Sequence, residues 1–141
     1  MARYDYIVLT AANSAQAAGY RRQLEWRRAA GLLPDGAWVL VIPDPGGRRV
    51  GSLGATLHVL TLMANMLARS NADATGLEAL FAGRRILVCH SGGDSRGTPA
   101  YAALGKVFIP LPTSRNGYPV ALFDLLLESF TRLPSPPAGQ V

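Results

Sequence analysis

Apolar residues recur along this chain with two different periods. Tyr6-Ile7-Val8-Leu9-Thr10, Trp38-Val39-Leu40-Val41-Ile42 and Ile86-Leu87-Val88-Cys89 are short unbroken runs rich in β-branched residues, the pattern of strands covered on both faces. Between them the period lengthens to that of a helix. From Asn13 or Ser14, either of which can cap, to about Ala30, the residues Ala17, Tyr20 and Leu24 share one face, and Gly31 offers a left-handed stop. From about Ala55 to Arg69 the residues Leu57, Leu60, Met63 or Ala64, and Leu67 recur at helical spacing. A short helix is predicted over Gly76–Phe81 and a final one over Val120–Leu133. Val107–Ile109 reads as a short fourth strand before a Pro-bounded turn at Pro110-Leu111-Pro112. Strands this apolar, alternating with helices, predict a mostly parallel sheet with right-handed crossovers, flanked by helices in a Rossmann-like α/β layer. In such a layer ligands gather at the carboxyl ends of the strands.

Composition narrows the class. The 141 residues are 49% apolar and 16% charged, enough for one domain with a core, and the net charge is +5. That surplus is mainly arginine: Arg21, Arg22, Arg27 and Arg28 on the first helix, Arg48-Arg49 and Arg84-Arg85 elsewhere. It suits an anionic substrate better than a nucleic acid, because the arginines are scattered and no aromatic stacking platform accompanies them. Cys89 is the single cysteine, so no intrachain disulfide forms, and a reducing, cytoplasmic setting is expected. No apolar run is expected to reach the ~20 residues that span a bilayer. Residues 1–133 read as one unit, and 134–141 as a Pro-rich tail or the start of a following segment. No internal repeat is present.

The chemistry concentrates after the third strand, in His90-Ser91-Gly92-Gly93-Asp94-Ser95-Arg96-Gly97-Thr98-Pro99, followed by Gly105-Lys106. Small residues leaving a buried strand let backbone N–H groups approach a polyphosphate, and an Arg and a Lys at short spacing neutralise its charge. The spacing is not that of a P-loop, since Val107 follows Lys106 and no hydroxyl is placed for a magnesium ion, and no G-x-G-x-x-G is present. A second small-residue stretch, Gly51-Ser52-Leu53-Gly54-Ala55-Thr56, follows the second strand. It serves either as a nucleotide contact through Gly51, Ser52, Gly54 and Thr56 or as a strand-to-helix turn capped by Ser52 or Thr56. His58 and His90 make no metal-ligand cluster.

A glycine-rich turn, an Arg, a Pro and a Lys about ten residues on resembles the signature of sugar nucleotidyltransferases. Gly92-Gly93-Asp94-Ser95-Arg96, Pro99 and Gly105-Lys106-Val107-Phe108-Ile109-Pro110-Leu111-Pro112 resemble in particular the fucose-1-phosphate guanylyltransferases, including the pyrophosphorylase half of the bifunctional fucokinase enzymes. The opening Tyr4–Ala11 and the stretch Pro43-Asp44-Pro45-Gly46-Gly47 through Val50–Leu57 resemble that family's first strand and second glycine loop. The likeness runs from about Tyr4 to Leu133. It departs at Leu53, where the family usually has another Gly, and at Gly97-Thr98.

This resemblance implies a sugar-1-phosphate nucleotidyltransferase layer, expected to be incomplete, with this chain carrying the nucleotide-binding part. The implied reaction is attack of L-fucose 1-phosphate on the α-phosphate of GTP, giving GDP-L-fucose and pyrophosphate, with Mg²⁺ offsetting phosphate charge. Arg96 would hold the triphosphate and the departing pyrophosphate, and Lys106 would supply charge near the α-phosphate. Gly92, Gly93, Asp94 and Ser95 would bind nucleotide. Asp94 is also a metal-ligand candidate, although an Asp in a turn more often bonds its own backbone, and the metal ligands stay unassigned. The isolated chain is expected to pair with a C-terminal remainder of the enzyme or to self-associate. A different sugar 1-phosphate, or an inactive nucleotide-binding or interaction module of the same fold, are the alternatives.

Overall fold

The computed structural model describes residues 3–71, 76–91, 105–115 and 117–139. Strand β1 (Tyr6–Ala11) leads into helix α1 (Ser14–Ala29), strand β2 (Trp38–Pro43), helix α2 (Gly51–Ser70), the short helix α3 (Leu77–Phe81) and strand β3 (Ile86–Cys89). A 3₁₀ turn (Lys106–Phe108), an antiparallel hairpin of β4 (Pro110–Arg115) and β5 (Tyr118–Ala121), and helix α4 (Leu122–Arg132) complete the order. The main sheet has the order β2-β1-β3, and both neighbours run parallel to β1.

The period-two alternation of β1 decides the two layers. Ile7, Leu9 and Ala11 point into a core built with Ala17, Tyr20 and Leu24 of α1, Val107 and Phe108 of the 3₁₀ turn, and Phe123 and Leu127 of α4. Val8 points to the other face, against Val59 and Met63 of α2 and Ile86 of β3. The sheet is therefore covered on both sides, which is why its strands carry no polar alternation.

Helix α1 forms as its sequence dictates. Asn13 Oδ1 accepts from the Gln16 backbone N–H at 2.9 Å, Gln16 Oε1 accepts in return from the Ala12 N–H at 2.8 Å, and Gly31 turns left-handed at φ 68° just past the helix end. Several expectations are corrected. Helix α2 begins at Gly51, not Ala55: the glycine stretch is its first turn, entered through Gly51 at φ 71°. Its buried face is Ala55, Val59, Met63, Ala64 and Leu67, whereas Leu57 is 58% exposed. Met63, Ala64 and Leu67 of the expected repeat lie on this stripe with Ala55 and Val59, while Leu57 falls outside it.

The earlier start also makes α2 a 20-residue helix, long and apolar enough by length and composition to cross a membrane, where no run of that length was expected. Finally, Val107–Ile109 is not a strand. The backbone closes a 3₁₀ turn there, with Ile109 N–H donating to the Lys106 carbonyl at 3.2 Å, and the pairing strand starts at Pro110. Residues 118–121 belong to β5, so the last helix starts at Leu122 and not at Val120.

Candidate functional site

The described residues that flank the glycine-rich segment meet at the carboxyl ends of β1 and β3. Ser91, two residues past β3, is held by all three of its polar groups. Its N–H donates to Thr10 Oγ1 at 3.2 Å, its hydroxyl donates to the Thr10 carbonyl at 2.6 Å, and its carbonyl accepts from the Tyr20 hydroxyl at 2.9 Å. Tyr20 is fully buried, and burial raises its phenol above the ordinary value of 10.0. At neutral pH it is an O–H donor.

Gly105 stands on the other side of that hydroxyl. It adopts φ 69°, and a Cβ built there would lie 1.8 Å from the Tyr20 oxygen, so only glycine fits. Lys106 follows it, exposed, at the start of the 3₁₀ turn. Below the turn Phe108 packs edge-on against Tyr20, with ring centroids 5.1 Å apart, and against Phe123 at 5.3 Å.

The second glycine stretch reaches the same end of the sheet from the opposite layer. Thr56, in the second turn of α2, donates its hydroxyl proton to the Ser52 carbonyl at 3.0 Å and shares a 3.1 Å contact with His90 Nε2. His90, the residue after β3, is exposed and tied to α2.

The helix start carries no side-chain cap from Val50, and Gly51 and Ser52 are exposed on its first turn. A Cβ at Gly54 would come within 2.8 Å of Val50 Cβ, so this glycine admits the close packing of its own turn. Leu53, 73% exposed, is an ordinary helical residue pointing to the surface.

Gly92, Gly93, Asp94, Ser95 and Arg96 lie outside the described residues. Of the site residues named from the sequence, the structure thus places Gly51, Ser52, Gly54 and Thr56 on the first turns of α2 and Lys106 on the 3₁₀ turn. Thr56, through His90, connects the second glycine stretch to the end of β3. Among the described residues no three His, Cys, Asp or Glu side chains gather in a way that would hold a metal ion. Cys89, the last residue of β3, has its thiol pushed up by burial to about 11, which keeps it protonated and unreactive.

Sequence reasoning missed one buried element. Arg27, one of the first-helix arginines that carry the charge surplus, is only 2% exposed. Its Nε and Nη2 donate to the two carboxylate oxygens of Asp124 at 2.7 and 2.9 Å, and its guanidinium lies 4.9 Å from the Phe108 ring centroid. Asp124 also accepts from the Ala121 N–H at 2.7 Å and so caps α4. The pair joins α1 to α4 beneath the turn that carries Lys106. The signal present in the sequence was Asp124 at the third position of the last helix; its partner, 97 residues away, was not legible.

A parallel sheet covered by helices on both faces, with the first turns of α2 and the residues flanking the glycine-rich segment at its carboxyl edge, makes this a mixed α/β chain consistent with an incomplete Rossmann-like layer. The chain is 34% identical over 138 aligned positions to the bifunctional fucokinase/GDP-fucose pyrophosphorylase of Arabidopsis thaliana, covering 88% of this chain and 13% of that protein. It is 30% identical to the fucose-1-phosphate guanylyltransferases of Mus musculus and Homo sapiens, over 94% and 93% of this chain and 20% of each of theirs. Over most of its length, therefore, the chain is homologous to fucose-1-phosphate guanylyltransferases and their bifunctional fucokinase counterparts, and it spans a fifth or less of these relatives. No protein-family profile and no solved structure matches it.

Proposed function

We propose that this chain supplies the nucleotide-binding part of a guanylyl transfer in which L-fucose 1-phosphate attacks the α-phosphate of GTP, giving GDP-L-fucose and pyrophosphate. The homology carries the chemistry. The single structural observation that supports it is the convergence, at one edge of the sheet, of the α2 first turns with the residues on either side of the glycine-rich segment.

An exposed lysine on a rigid turn suits the role of Lys106 in offsetting charge that builds on the α-phosphate, and the first turn of α2 offers backbone donors to an anion. Arg96 completes the pair of cations, holding the triphosphate. In-line transfer of this kind needs positioning and electrostatics, with no enzyme nucleophile. Mg²⁺ would offset the charge of the triphosphate. A cytoplasmic setting fits the nucleotide substrate and the lone cysteine.

A second reading is nucleotide binding without turnover. The outer edges of β2 and β3 have no strand partner among the described residues, which supports pairing with a further segment of the enzyme or self-association. The deciding experiment is equilibrium binding of GTP, ATP, UTP and CTP to the purified chain, with pyrophosphate exchange measured in parallel. Selective GTP binding with exchange supports the transfer, GTP binding without exchange the second reading. Failure to bind any of the four refutes both.

A further inference from the structure

We propose that Tyr20 is a positioning residue, which sets the distance between the two ends of the glycine-rich segment by holding Ser91 on one side and admitting Gly105 on the other. The inference rests on the nucleotide-binding reading above and adds to it a residue that touches no nucleotide itself.

Three observations carry it. The Tyr20 hydroxyl donates to the Ser91 carbonyl at 2.9 Å, from a side chain with no exposed surface. The same oxygen occupies the space that any side chain at 105 would need. The ring below it stacks edge-on with Phe108, two residues beyond Lys106. One side chain of α1 is therefore in contact with the chain immediately before the segment and immediately after it, although the two contact points, Ser91 and Gly105, are separated by the whole of residues 92–104.

Ser91 has a second anchor in Thr10, which ties it to β1. The 105–108 turn has its own in the packing of Phe108 against Phe123. What Tyr20 adds is the link between the two. A hydroxyl does this better than a longer or charged group, because it keeps a fixed reach from a rigid ring and remains a donor across the neutral range. Removing the oxygen alone would leave the ring and its packing in place, while freeing the Ser91 carbonyl and opening a gap beside Gly105.

The test is Tyr20→Phe in the full chain, read by amide hydrogen exchange and by equilibrium binding of GTP. Loss of the buried hydrogen bond should speed exchange about fivefold at Ser91 and at Phe108 and Ile109, leaving Val8 and Leu9 of β1 unchanged, and should weaken GTP binding by a similar factor. A variant that is merely less stable would instead exchange faster throughout and bind GTP with unaltered affinity in its folded fraction.

Unchanged exchange at Ser91 or at the 105–109 turn overturns the inference, as does faster exchange at both with GTP affinity intact. If the wild-type chain binds no GTP, the proposed function fails and the nucleotide role of Tyr20 fails with it. The exchange data then decide separately whether Tyr20 links the two ends. A gain of affinity on restoring tyrosine at position 20, with no change at the β1 amides, is the supporting result.

Discussion

Lys106 is exposed, and the turn that carries it is held from below by Phe108 and Val107, so its side chain contributes little to folding. Lys106→Ala should leave the melting transition in place and, in the enzyme that turns over, lower kcat by roughly 10²–10³-fold through loss of charge at the reacting phosphate. Steady-state rates of GDP-L-fucose synthesis check this, and a variant as fast as wild type would remove Lys106 from the site. Cys89 supports a prediction of a different kind. Burial raises its thiol from the ordinary 9.0 to about 11, so the folded chain keeps a proton that the unfolded chain gives up. The stabilisation from the neutral thiol is fully present below pH 9 and is lost as pH rises towards 11, at most about 3 kcal/mol. Urea unfolding at pH 8 and pH 10.5 should therefore show a steeper alkaline loss in wild type than in Cys89→Ala.

At the scale of elements, the join between α1, α4 and the 3₁₀ turn depends on a buried charge pair. Asp124→Asn leaves the Arg27 guanidinium in the core without its counter-charge and should cost about 3 kcal/mol. The double replacement Arg27→Met with Asp124→Leu should recover most of this loss, since the surrounding Phe108 and Phe123 rings accept apolar groups. Denaturant midpoints of the two variants test the order; a double variant no better than Asp124→Asn would show that the α4 cap at Ala121 is the larger contribution. Helix α1 was legible to within a residue because its cap, its face and its stop are all local. The β4–β5 hairpin was missed, although Asn116-Gly117 between two short extended runs is a hairpin signal and Gly117 takes φ 81°. Two prolines in Pro110-Leu111-Pro112 suggested a turn instead. They sit in a short two-stranded ribbon, where prolines are tolerated at edges.

For the whole molecule, a nucleotide that binds only the folded chain must stabilise it. GTP at a hundred times its Kd should raise the unfolding free energy by about 2.7 kcal/mol, with ATP giving less at the same concentration. Thermal melts with each nucleotide check this, and an unchanged transition with GTP would exclude the proposed ligand. The same scale explains α2. Its buried stripe closes one face of the sheet through Val59 and Met63, while Leu53, Leu57, Leu62 and Met66 stay at the surface. Leucine content alone does not say which stripe of a helix faces inward when several are apolar.

Local rules in the sequence determined the α/β alternation, the parallel apolar strands, the Asn13 cap and the motifs that tie this chain to its relatives, because each depends on residues close together along the chain. Long-range packing decided the rest. The inward stripe of α2 was fixed because Val59 and Met63 dock on the sheet against Val8 and Ile86. Arg27 became a core residue because Asp124 lies opposite it. Ser91 and Gly105 are brought to one tyrosine because β1, α1 and the 3₁₀ turn pack together, and no spacing along the chain encodes that meeting.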